Sequence, residues 1–320
     1  MFSSYNMKNY GKELRKIRKF LKLTQTDVSK ISGLSEDTLT NLENGLVIPK
    51  YETIEILSHV YKFDLMKMLF YFKNENDMLS LYEQLDDSIT YNNLTKIKEI
   101  HTTLLSLKQN FPINKLIQFS DFDMLIAYTE SNVIFLDKSM SSIVKLKAKN
   151  KLIEALSRNI LDFTMDKFKI YNYNLLELRM LLLIAQFESD SEDYSLSNSI
   201  MEFILDKTSV FDTYDLIPTK FKLILYFNLA YNNHMIDKHK KVYKYASEGI
   251  KIGQVTNDFG NLFFLYYRKG IAEYNLKKPN YLHSLKKSIY ILEILEKYDL
   301  KKLYIESTLK NYNIDLTIQE

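Results

Sequence analysis

The chain has 320 residues, 46% of them hydrophobic and 26% charged, which is long enough for two or three domains with a sizeable core. It contains no cysteine, which excludes a disulfide framework and a thiolate metal site and fits a reducing cytosol. No apolar run approaches the ~18 residues of a membrane span, and the first ten residues lack the layout of a signal peptide, so a cytoplasmic protein without membrane contact is expected. The net charge of +3 lies wholly within residues 1–72, and residues 8–22 hold seven cations against one acid. A basic segment beside a neutral body is the electrostatic footprint of a nucleic-acid-binding head.

With only 7 glycines and 4 prolines, the chain is expected to form long helices. Either Met1 or Met7 can serve as the start. A first helix is predicted over 9–21, with Leu14, Ile17 and Leu21 as its buried stripe and Tyr10 and Phe20 flanking it. Thr24 caps a second helix, 25–31, whose apolar face is Val28 and Ile31. Gly33 stands where that helix must stop at positive φ. Ser35 caps a third helix, 36–44, carried by Thr38, Leu39 and Leu42 to the Asn44-Gly45 turn. Pro49 precedes a fourth, 51–61, with Ile54, Leu57 and Val60 as core positions, and a fifth spans 65–72. Two short helices joined at a glycine, the second capped by Ser, form a helix-turn-helix.

Residues 73–77 are polar and read as a hinge, with a linking helix beginning at Asp77. Beyond it everything reads as helix, with apolar residues three and four apart: Leu79, Tyr82 and Leu85, then Leu94, Ile97, Ile100, Leu104 and Leu107. Phe111-Pro112 breaks the run, and helices follow over 113–136 and 143–163. The nearly all-apolar segment 175–187 should be buried between neighbours, and the acidic, Ser-rich 188–195 reads as a loop or cap. Helices over 195–208, 218–233, 237–256, 261–276, 279–298 and 299–311 complete the chain. At an offset of 42 residues, Phe221 falls on Phe263, Leu223 on Leu265, Asn228 on Gly270 and Ala230 on Ala272. The second helices match too, Ile250 falling on Leu292. The small residues sit mid-helix, where a partner helix must approach closely.

The string LTQTDVSKISGLSEDTLTNLENGLVIPK resembles the five-helix domain of the phage-repressor (Cro/C1, XRE) class, without a gap from about residue 12 to 72. The paired helices resemble tetratricopeptide (TPR) repeats of about 34 residues, here lengthened. Together they resemble the Rgg/PlcR/PrgX group of peptide-pheromone receptors. The resemblance implies an all-α fold: an N-terminal five-helix domain, 1–72, a linker or linking helix, 73–90, and a TPR-like right-handed superhelix of antiparallel helix pairs, 91–320, for peptide binding and dimerisation. It implies a homodimeric transcription regulator that binds an operator in double-stranded DNA and answers to a short signalling peptide, as in quorum sensing.

In that reading phosphate contacts come from Lys12, Arg15, Lys19, Lys22, Gln25, Asn44 and Lys50. By resemblance, the base-facing positions are Ser35, Glu36, Asp37, Thr38, Thr40 and Asn41. Thr38 can meet a thymine methyl, Asn41 can bond adenine, and an acid can accept from cytosine N4. Glu36 and Asp37 equally well serve the helix dipole, and no Arg or Lys is present on this helix to read guanine. Glu43 is expected to pair back to Arg15 or Lys19.

If the first helix of each pair lines the effector face, the peptide-binding candidates are Arg179, Gln186, Lys222, Asn228, Asn232, Tyr267, Tyr274 and Asn275. Leu183, Leu225, Asn233 and Phe264 are positioned alongside them. Asn amides can satisfy a peptide backbone, and an Arg can take a terminal carboxylate. Ordinary repeat packing is the competing reading for each. Two alternatives stand beside the peptide. The repeats bind a protein, such as an antirepressor or polymerase subunit, or the chain is a scaffold with a vestigial head. None of the five histidines falls into a metal or catalytic motif, so no enzyme, metal or cofactor is expected.

Overall fold

The structure, a computed structural model, describes residues 5–317 apart from 71, 73–77, 91, 110–115, 210–218, 256–259 and 261. The expected hinge at 73–77, the break at Phe111-Pro112 and the Pro218 helix start lie outside the described residues. The chain forms two compact units, 1–91 and 92–320. Among the described residues there is no strand beyond one bridge, in which Asn6 N–H donates to Phe72 O at 2.6 Å.

The first unit contains α1 (Met7–Phe20), α2 (Gln25–Ser32), α3 (Glu36–Glu43), α4 (Tyr51–Tyr61), α5 (Leu65–Phe70) and α6 (Met78–Thr90). The starts of α1, α2 and α3 follow from side-chain caps. Asn6 accepts from Asn9 N–H, Thr24 and Asp27 cap each other reciprocally, and Ser35 accepts from Thr38 N–H. Gly33 closes α2 at φ 74°. The core is Tyr10, Leu14, Val28, Leu39, Leu42, Ile54, Leu57, Tyr61 and Leu65, with Ile17, Leu21 and Val60 half-buried around it. Two expected packing residues face outward instead: Phe20 is 78% exposed and Ile31 63%. Phe20 ends α1 and Ile31 lies one residue from the end of α2, each on the outward side of its last turn. Gly11 lets α1 and α3 touch, since a Cβ there would meet Leu42 O at 2.4 Å.

The second unit contains α7 (Leu94–Gln109), α8 (Leu116–Leu136), α9 (Ser142–Asn159), α10 (Leu175–Asp190), α11 (Tyr194–Ser209), α12 (Thr219–Met235), α13 (His239–Val255), α14 (Leu262–Asn275), α15 (Tyr281–Ile294) and α16 (Tyr298–Tyr312). Consecutive helices pack as pairs from α8·α9 to α14·α15, and α8, α10, α12 and α14 also touch in succession, forming one row. That is the layered arrangement of helix-pair repeats. Four turns are closed alike. Glu192, Asp237, Lys277 and Glu296 take φ of 66°, 53°, 54° and 54°. The next N–H then reaches back five residues, as from Lys278 to Glu273 O at 2.8 Å. These four reversals of the second unit are therefore made with charged residues rather than glycine. Gly270 sits against α15, where a Cβ would lie 2.7 Å from Leu285 Cγ, so the small position in the 42-residue repeat marks a close helix approach.

Three boundaries differ from expectation. Segment 188–195 is mostly helix, because Lys149 and Lys145 on α9 pair with Glu188 and Asp190 at 2.8 and 2.9 Å and hold the end of α10. The helix expected over 143–163 stops at Asn159. Asp162 turns at φ 55°, and Phe163 folds back onto Tyr171 and Tyr173 ahead of a 3-10 turn, Met165–Ile170. The helix expected over 279–298 ends at Ile294, before the turn at Glu296. No described helix is long and apolar enough to cross a membrane.

Candidate nucleic-acid interface and repeat-domain face

The N-terminal unit is held together around one carboxylate. Glu43, at the end of α3, is only 3% exposed. Its Oε1 accepts from Arg18 Nε at 2.5 Å, and its Oε2 from Arg18 Nη2, Arg15 Nε and Gln25 Nε2 at 2.9, 3.1 and 3.1 Å. Burial alone would raise the Glu43 carboxyl, but bonds and charge from Arg18 and Arg15 outweigh it and hold the group below the ordinary carboxylate value. The expected partner Arg15 is present; the second is Arg18 rather than its neighbour Lys19, which is exposed. Arg18 also donates to Leu23 O at 2.9 Å, fixing the entry to α2.

This network engages two of the expected phosphate contacts within the unit. Gln25 gives its amide hydrogen to Glu43 and accepts from Thr40 Oγ1 at 3.3 Å, and Asn44 accepts from Arg15 Nη2 at 2.7 Å. Both position α3 against α1 and α2. Lys12, Lys19, Lys22 and Lys50 are exposed and make no ion pair among the described residues. At the start of α3, Glu36 and Asp37 are exposed and unpaired, whereas Ser35 uses its oxygen on the cap and on Thr38 Oγ1 at 2.8 Å. The Asn41 side chain is half-buried and makes no hydrogen bond among the described residues. The unit thus presents a capped α3 start, an unbonded Asn41 amide and four exposed lysines without ion pairs among the described residues.

In the second unit most expected peptide contacts lie inside the helix packing. Arg179 is 2% exposed, with its guanidinium 5.5 Å from the Phe221 ring. Asn232 is fully buried, accepting from Ser189 Oγ at 2.7 Å and donating to Ser197 Oγ at 2.8 Å, which ties α10, α11 and α12 together. Asn233, Leu183, Leu225 and Phe264 are buried too. The Tyr267 hydroxyl lies 3.1 Å from Thr308 Oγ1 in the contact with α16. These residues are corrected from groove lining to repeat packing. Residues three and four apart on a helix enclosed by neighbours on several sides are core whichever helix of the pair they occupy. Gln186, Lys222 and Asn228 are half-buried, and Tyr274 and Asn275 are exposed. Asn228 and Asn275 each bond a carbonyl of their own helix, at 2.8 and 2.9 Å. Tyr274 donates to Tyr312 O at 3.3 Å.

The helix-turn-helix family, HTH_3, matches residues 14–66. The N-terminal unit is a helix-turn-helix domain of the XRE type. No curated protein matches the chain. Among solved structures, Bacillus thuringiensis PlcR in complex with the peptide PapR7 and DNA is similar at a TM-score of 0.64 and 16% identity, over 93% of this chain and 99% of that one. A protein from Listeria monocytogenes EGD-e described as a transcriptional regulator is similar at 0.64 and 14%, over 97% and 100%. ComR from S. thermophilus, in complex with DNA and its signalling peptide ComS, is similar at 0.51 and 14%, over 94% and 99%. At these identities the likeness is one of fold: a helix-turn-helix followed by helical repeats, the architecture of the Rgg/PlcR/PrgX group.

One residue of the repeat domain behaves unlike any arginine of the helix-turn-helix. Arg268, on α14, has its guanidinium 4.9 Å from the Phe264 ring and 5.3 Å from the Tyr231 ring of α12. Its Nε is buried with no hydrogen-bond partner, and it makes no ion pair among the described residues. Tyr304, Tyr267 and Tyr312 surround it, and burial pulls its pKa down. His234 and His239 are close by, each with a buried, unpartnered Nδ1, and burial together with the Arg268 charge pushes His234 down to about 4. Arg268 is half-buried, and two ring contacts of about 0.5–2 kcal/mol each offset part of the cost of desolvating its Nε. No periodicity in the sequence marks this site, because Arg268 is singled out by the partner it lacks.

Proposed function

We propose that the chain is a DNA-binding transcription regulator whose activity is set by a short peptide held in the repeat domain. The observation that carries the DNA half is the helix-turn-helix with its capped, outward-facing α3 start and the unpaired Lys12, Lys19, Lys22 and Lys50. Lysines neutralise phosphates and position the head, while Glu36, Asp37, Thr38, Thr40 and Asn41 offer the groups that face base edges. The peptide half is supported by the fold it shares with PlcR and ComR, each solved with DNA and a peptide. In this reading residues 1–72 are the head, 73–90 the connection and 91–320 the peptide-binding and dimerisation domain, and the working form is a homodimer spanning two half-sites. A peptide that binds one arrangement of the dimer better than another shifts operator affinity by that difference.

The test is a titration of the full chain against DNA from upstream of its own gene and against a scrambled duplex, across a range of salt. Lys12→Gln and Lys19→Gln are each expected to weaken binding to both duplexes and to reduce the salt slope by about 1. Asn41→Ala should reduce discrimination between the duplexes and leave the slope alone. Equal affinity for upstream and scrambled DNA would sink the operator reading. Affinity unmoved by any peptide encoded in a neighbouring short reading frame would sink the peptide reading.

A further inference from the structure

We propose that Arg268 is the anion-receiving residue of the repeat domain, its guanidinium held against the Tyr231 and Phe264 rings to take one carboxylate of a bound peptide. The proposal rests on the peptide reading above and names the chemistry that the peptide must bring. Proteins seldom bury a cation without a carboxylate, since the charge loses its hydration and gains nothing in return. Among the described residues no carboxylate fills that place. The nearby acids do not reach it: Glu273 pairs with Lys269 at 3.8 Å and bonds Ser284, and Asp237 lies at the α12–α13 turn, 3.8 Å from His239. The two rings lie against the guanidinium, and its Nε is buried without an acceptor. A planar carboxylate fits that edge with two parallel bonds. His234 and His239, with their own unpartnered nitrogens, supply further donors beside it. The carboxylate can be the peptide's C-terminus or an Asp or Glu side chain, and both present the same fork.

The chain has only five arginines, so the Nε–Hε spectrum of arginine-labelled full-length protein holds five signals, and Arg268→Lys identifies the one of interest. N-acetyl-leucine, with a free carboxylate, and N-acetyl-aspartamide, with only a side-chain carboxylate, are expected to move that signal, and N-acetyl-leucinamide to leave it in place. In parallel, pooled random heptapeptides with free or amidated C-termini are offered to the wild type and to Arg268→Met. Retention is expected to fall tenfold or more in Arg268→Met. If only the free-acid pool is retained, the C-terminus is the source; if the amidated pool is retained through members rich in Asp or Glu, the side chain is. Retention equal in wild type and Arg268→Met, with a stationary Arg268 signal, overturns the proposal while the peptide reading stands. A signal moved by N-acetyl-leucine with no peptide retained by the wild type keeps the carboxylate site and overturns the peptide reading. A signal moved equally by chloride overturns the carboxylate assignment.

Discussion

The two units treat their arginines in opposite ways. In the helix-turn-helix, Arg15 and Arg18 converge on one buried carboxylate, Glu43, and the charges are matched within a single cluster. In the repeat domain, Arg268 sits against aromatic rings with no carboxylate partner among the described residues. A matched buried charge is part of the scaffold, because removing either partner strands the other. An unmatched one leaves the free protein less stable than it would be without the charge, and ligand binding can recover that difference. The comparison separates residues that build a surface from those that wait for something to bind it.

The largest test is Glu43→Ala, which strands Arg18 and is expected to cost about 3–5 kcal/mol in denaturant unfolding followed by amide exchange in residues 5–70. A cost under about 1 kcal/mol would mean that the cluster is no more than a surface ion pair. Acid should then distinguish the units by window. His234 is held near 4 from an ordinary 6.5, so the unfolded chain takes up its proton first. Its contribution is complete above pH 6.5 and drains as the pH falls from 6.5 toward 4. His101, also lowered by burial, acts in the same sense. Glu43 is depressed from 4.5, so its contribution is present above pH 4.5 and is lost as the pH falls below it. Amide exchange should show the repeat domain loosening first on acidification, and His234→Gln should flatten that segment alone. If the head loosens first, the assignment of the histidine to the repeat domain's stability is wrong. The smallest effect is Arg268→Met, expected to leave thermal stability unchanged or raise it by up to about 1 kcal/mol, since no partner is stranded. A loss of several kcal/mol there would erase the contrast with Arg18.

How much of this was legible depended on whether the information was local. The caps Thr24 and Ser35, the turn at Gly33 and the spacing of Leu39 and Leu42 place α2 and α3 within a residue of where the sequence puts them. Cap chemistry and helical periodicity operate over three or four positions, so a single stretch carries the answer. Gly270 was legible for the same reason, as a small residue at a repeating mid-helix position. The ends of α10 and α15 were not, because one is extended by lysines of α9 and the other is cut by a turn on a charged residue.

The candidate site divides along the same line. The sequence by itself determined the class of fold, the helix-turn-helix and the concentration of cations in it, because charge and periodicity are properties of neighbours along the chain. Only the tertiary structure decided that Gln25 and Asn44 serve Glu43 and its arginines, that Asn232 binds Ser189 and Ser197 rather than lining a groove, and that Arg268 rather than Arg179 is the arginine without a partner. Whether a polar side chain is satisfied depends on helices packed against it from far along the chain, and no window of sequence contains them.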